Sequence, residues 1–73
     1  MILMEKKDKD IVKLSKLCQH WADHNESHKD SFIKWRDIAK EKGLDSVVEN
    51  LNKAIEMMDK STEYLLATYK ELS

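Results

Sequence analysis

Proline is absent from this chain and glycine occurs once, at Gly43, so almost nothing in its 73 residues interrupts a helix. An all-α fold is expected. Cysteine also occurs once, at Cys18, which excludes an intrachain disulfide and suits a reducing, cytosolic setting. No stretch approaches the roughly 20 apolar residues of a membrane span. The apolar opening "MILM" is too short for the core of a secretion signal and runs straight into "EKKDKD". A soluble, cytoplasmic protein is expected. Neither sign of charge dominates, with 13 basic side chains against 14 acidic ones and no long block of either. The basic stripe of a nucleic-acid binder is missing, so neither nucleic acid nor membrane is an expected partner. Length is the last shortage. A chain this short buries only about 60% of its unfolded surface. A single domain over 1–73 therefore needs a metal, a partner subunit, or both.

What is present is two apolar series. The first runs Ile11, Leu14, Cys18, Trp21, Asn25, His28, Phe32, Trp35, Ala39, stepping three, four, three, four. That is the spacing of a heptad seam. The phase never slips, which predicts one continuous helix over about 10–42. The stretch "NESHKDS" offers a competing break, with Ser27 or Ser31 as caps. Gly43 should end the helix, because glycine adopts the left-handed conformation of a C′ residue without strain. The expected turn is about 43–45, with Asp45 or Ser46 capping a second helix over about 46–72. Its series is Val48, Leu51, Ile55, Met58, Thr62, Leu65, Tyr69, Leu72.

A turn this short makes the two helices antiparallel, in a coiled-coil-like hairpin. Folding at Gly43 sets His28 against Met58, Asn25 against Thr62 and Trp21 against Leu65, so the polar interruptions share layers. Beside each seam runs a flank of small or apolar residues: Leu17, His24, Ser31 and Ile38 in the first helix, and Val47, Ala54, Ser61 and Thr68 in the second. Such a wide apolar face predicts that two hairpins pair through that flank as a homodimeric four-helix bundle.

All three histidines fall in one nine-residue stretch, "HWADHNESH", as His20, His24 and His28. Neighbours one helical turn apart lie about 6 Å from one another at Cβ, close enough to chelate one ion. His20 and His28 are about 12 Å apart along the axis, so two of the three are expected to grip while other groups complete the shell. The seam places His28 inside, His24 on the flank and His20 outermost. An ordinary hydrogen-bonded core histidine and ordinary solvated ones are the bland alternative. Catalytic templates do not fit. A zincin glutamate directly follows the first histidine, whereas Glu26 lies two residues after His24 and points round the helix; no Glu-x-x-His pair of a di-iron bundle is present. An enzyme is not expected. Cys18 and Met58 read as packing, Trp21 and Trp35 as core, and Asn25, Ser61 and Thr62 as groups that orient imidazoles. Imidazole without thiolate accepts nickel, zinc, copper or cobalt, and composition does not choose among them.

The pattern H-W-x-x-H-x-x-x-H, met by His20, Trp21, His24 and His28, resembles the signature of CooJ-like proteins, nickel-binding accessory proteins of carbon monoxide dehydrogenase maturation. The resemblance covers the nine-residue motif and the helical frame around it, about 10–72. It implies a helical coiled-coil dimer with His20, His24 and His28 as Ni(II) ligands and Trp21 as their packing neighbour. The histidine-rich tail of that family has no counterpart after "YKELS", so a single-site carrier or metallochaperone is expected rather than a nickel store. Two other roles are weighed against it: a helical dimeric adaptor, and a bundle held together by structural zinc.

Overall fold

The computed structural model describes residues 8–72; the "MILM" opening and the terminal Ser73 lie outside the described residues. Two helices make up the fold, α1 (Lys9–Glu41) and α2 (Asp45–Leu72), and no strand occurs among the described residues. None of the described helices is long and apolar enough to cross a membrane.

Asp8 starts α1. Its extended backbone aims the carboxylate back at the first turn, where Oδ1 accepts from the backbone N–H groups of Asp10 (3.1 Å) and Ile11 (3.2 Å). Such a cap satisfies donors that have no partner within the helix. The helix then runs unbroken through Ser27–Ser31. It ends where glycine allows: Gly43 has φ +73°. Two bonds close the last turn, from Leu44 N–H to the Ala39 carbonyl (3.0 Å) and from Gly43 N–H to the Lys40 carbonyl (3.1 Å). This pair of bonds is the Schellman motif.

The restart is tighter than the sequence suggests. The Leu44 carbonyl already accepts from Val48 N–H at 3.0 Å, so Leu44 occupies the cap position that Asp45 or Ser46 was expected to fill. Asp45 is the first helical residue, and its charge favours the positive end of the helix dipole.

The two helices pack antiparallel. Three cross-hairpin contacts set the register: Asn25 Nδ2 donates to Ser61 Oγ (3.1 Å), Lys29 Nζ pairs with Asp59 Oδ1 (2.7 Å), and Arg36 Nη1 donates to Asn52 Oδ1 (3.1 Å). Asn25 thus finds its polar partner one residue from the Thr62 expected. The α2 series from Val48 to Leu72 is half-buried along its whole length, as its spacing predicts.

In α1 the seam has a different phase. It steps four, three, four, three through Ile11, Ser15, Cys18, Ala22, Asn25, Lys29, Phe32, Arg36 and Ala39, all buried or half-buried. The expected alternates Leu14, Trp21, His28 and Trp35 are exposed, Trp21 by 42% and Trp35 by 57%. Size explains the choice. The only fully covered side chains among the described residues are Cys18, Ala22 and Ala39, so the axes approach closely and leave no room for an indole. Lys29 and Arg36 lay their alkyl stems across the same seam and carry their charged ends to acceptors on α2.

Candidate metal centre

The expected Ile11, Cys18, Asn25, Phe32 and Ala39 stay in the seam, but its alternate positions move by one residue, which carries His28 to the surface. His20, His24 and His28 are all exposed, which corrects the expectation that His28 lies inside the hairpin. His24 and His28 stand on a second series of α1 that the hairpin leaves mostly exposed, with Leu17 and Ile38 half-buried. It runs Leu14, Leu17, Trp21, His24, then His28, Ser31, Trp35, Ile38, again stepping three and four. The lysine and arginine contacts to Asp59 and Asn52 occupy one side of the hairpin. The uncovered series lies on the other, with Val47, Ala54 and Ser61 of α2 beside it. One face of the rod is therefore charged, and the opposite face is apolar with two imidazoles at its middle.

Helical spacing brings those two together. Nε2 of His28 lies 2.8 Å from Nε2 of His24, and the rings meet edge to face with centroids 4.5 Å apart. At that distance one nitrogen donates its N–H and the other accepts. His20 stands one turn further on, its ring centroid 6.1 Å from that of His24, while Phe32 lies 6.3 Å beyond His28. Two of the three predicted ligands thus converge and the third flanks them. Among the described residues no three His, Cys, Asp or Glu side chains come together as a metal-holding group.

The donor set can be tested against a cation. Metal–imidazole bonds of about 2.0–2.1 Å put adjacent ligands roughly 2.9 Å apart in square-planar or octahedral geometry and about 3.4 Å apart in tetrahedral geometry. The observed 2.8 Å fits the first pair. One chain supplies two neighbouring corners and no more. Cys18 does not add a thiolate, since it is 1% exposed in the seam. Asn25, expected to orient an imidazole, spends its amide on Ser61 instead. Lys29 is the nearby cation in sequence, yet it is turned to the opposite side of the hairpin. There it donates a hydrogen bond to Asp59, which together with the charge of that carboxylate raises the lysine above its ordinary value, with desolvation opposing.

The uncovered series was present in the sequence. It shares Leu14, Trp21, His28 and Trp35 with the expected seam and is as regular, its other members being Leu17, His24, Ser31 and Ile38. Among relatives, no curated protein and no solved structure matches the chain significantly. A family model does, over residues 14–72, and its description is a domain of unknown function, DUF8180. That match takes in both helices, the turn and all three histidines, and the chain belongs to the DUF8180 family.

Proposed function

We propose that this protein is a nickel(II)-binding carrier, a metallochaperone that works as a cytoplasmic homodimer and serves the maturation of a nickel enzyme such as carbon monoxide dehydrogenase. His24 and His28 hold the cation through Nε2 and His20 is the outer ligand. The observation that carries the reading is the 2.8 Å approach of the two Nε2 atoms on an uncovered face. Resemblance of the motif to CooJ-like proteins supplies the preference for nickel over zinc, copper or cobalt.

To take a cation the two residues would give up the hydrogen bond between their rings, the donor ring shifting its proton from Nε2 to Nδ1 with no net proton release. Free, one imidazole donates to the other; loaded, both rings carry their proton on Nδ1 and present Nε2 lone pairs to the cation. Two inner ligands and the outer His20 leave the shell open to donors from a second subunit or from a client, which is what a carrier requires. Exposure of both rings permits release by ligand exchange. No general base or nucleophile is invoked, and the role is binding rather than catalysis.

Calorimetric titration of Ni(II) tests this. At about pH 7.5 the native chain should bind, and at about pH 5.5 protons should compete and weaken binding. His24→Ala and His28→Ala should each lose at least about tenfold in affinity, since even an outer-shell partner is worth that much, and His20→Ala should lose less. Unchanged affinity in both His24→Ala and His28→Ala would sink the site. A helical adaptor predicts no effect of chelator on anything. A zinc-held bundle predicts that chelator lowers the melting temperature and that zinc outcompetes nickel.

A further inference from the structure

One stripe of α1 serves two seams. Ile11, Cys18, Asn25, Phe32 and Ala39 face α2 together with Ser15, Ala22, Lys29 and Arg36, all buried or half-buried. The same five residues form an equally regular heptad seam with Leu14, Trp21, His28 and Trp35. We infer that α1 rotates about its own axis between these two seams, and that the rotation exposes or sheathes His28. The rotation stands on packing alone; its effect on cation binding rests on the carrier reading above.

The motion is small. Exchanging one set of alternate positions for the other turns the helix by about 50° and moves each Cα by about 2 Å. Shifts of that size occur between packed helices that have two discrete arrangements. The second helix keeps its place throughout. In the register set by Asn25–Ser61, Lys29–Asp59 and Arg36–Asn52, the α2 residues Leu72, Leu65, Met58 and Leu51 oppose Ser15, Ala22, Lys29 and Arg36. After the rotation the same four oppose Leu14, Trp21, His28 and Trp35. Space at the hairpin turn permits it, since nothing lies within 4 Å of a Cβ built on Gly43.

Each seam leaves unsatisfied what the other supplies. The observed one covers Cys18, Ala22 and Ala39 and ties Lys29 to Asp59 and Arg36 to Asn52. It also leaves Leu14, Trp21 and Trp35 exposed by 38%, 42% and 57%, and it buries the Thr62 hydroxyl without a partner. The rotated seam lays both indoles and Leu14 against leucines of α2, which removes apolar surface from water. It carries Asn25 away from Ser61 toward Thr62, the residue opposite it in this register, so the amide meets the orphaned oxygen. What it gives up is the closest approach of the axes and two partly exposed polar bridges, and such bridges contribute little. In the rotated seam His28 lies opposite Met58, shut away from a cation, while His24 stays outside.

Nuclear Overhauser contacts in the full, metal-free chain read the two seams directly. In the native chain the Ala22 methyl should touch Leu65. Lys29→Ala combined with Arg36→Ala removes the bridges of the observed seam. Ala22→Leu crowds that seam and leaves the rotated one untouched, and it is the deciding variant. In both variants the Trp21 ring should gain contact with Leu65 and the Trp35 ring with Leu51, with helix content unchanged by circular dichroism. Loss of helix in Ala22→Leu overturns the proposal. So do ring contacts that appear only between labelled and unlabelled copies in a mixed sample, because these come from a second chain. Nickel titration of Ala22→Leu is read separately. Affinity at least about tenfold below that of the native chain supports the sheathing of His28. Native affinity with the ring contacts present overturns the sheathing and leaves the rotation. A native chain that binds no nickel, with the ring contacts present in the variants, refutes the carrier reading alone.

Discussion

Thr62 buries a hydroxyl in the hairpin seam with no hydrogen-bond partner. Its neighbour in sequence, Ser61, takes the bond from Asn25 that an argument from layers assigns to Thr62. The difference is one residue of register, but it leaves a desolvated polar atom that costs about 1–3 kcal/mol. Thr62→Val keeps the branched shape and removes the orphan. We expect a gain of about 1 kcal/mol in urea unfolding, and a loss of stability would show that the hydroxyl is satisfied in solution. The histidines show how far residue-level reasoning reaches. Spacing of one turn was enough to say that neighbours can touch. Which pair does so, His24 with His28 and not His20 with His24, depends on ring orientation, which no spacing rule contains.

At the scale of elements, the turn depends on one backbone conformation. Gly43 has positive φ, and a Cβ added there would meet nothing within 4 Å. The cost of Gly43→Ala is thus conformational strain alone, about 1 kcal/mol, and Gly43→Asn should lose less because asparagine tolerates this region. Equal stability of all three by chemical denaturation would mean that the hairpin closes some other way. Both helices and this turn could be read from the sequence, because proline and glycine are absent where the helices run and glycine stands where they stop. The phase of α1 could not. The expected and observed seams share Ile11, Cys18, Asn25, Phe32 and Ala39; at the alternate positions hydropathy favours Leu14, Trp21 and Trp35, whereas the packing selects Ser15, Ala22, Lys29 and Arg36.

The whole molecule is a rod of 55 × 18 × 12 Å with a radius of gyration of 16.7 Å, against about 11 Å for a compact chain of this length. Only three described side chains are buried and none of them belongs to α2. A hairpin with so little core would gain stability from association. If two copies share a core, the melting temperature of the metal-free protein should rise with concentration. Circular-dichroism melts over a hundredfold range of concentration check this, and a constant midpoint would leave the hairpin to stand alone.

Local chemistry settled much of this protein before any packing was known. Backbone propensity and one glycine determine two antiparallel helices, and helical periodicity puts the imidazoles one turn apart. Tertiary structure alone decided which side of α1 faces α2. The small Cys18, Ala22 and Ala39 are buried between the helices, and Lys29 and Arg36 reach across the same seam to acceptors on α2. Trp21, Trp35 and the histidine pair were left exposed outside that seam.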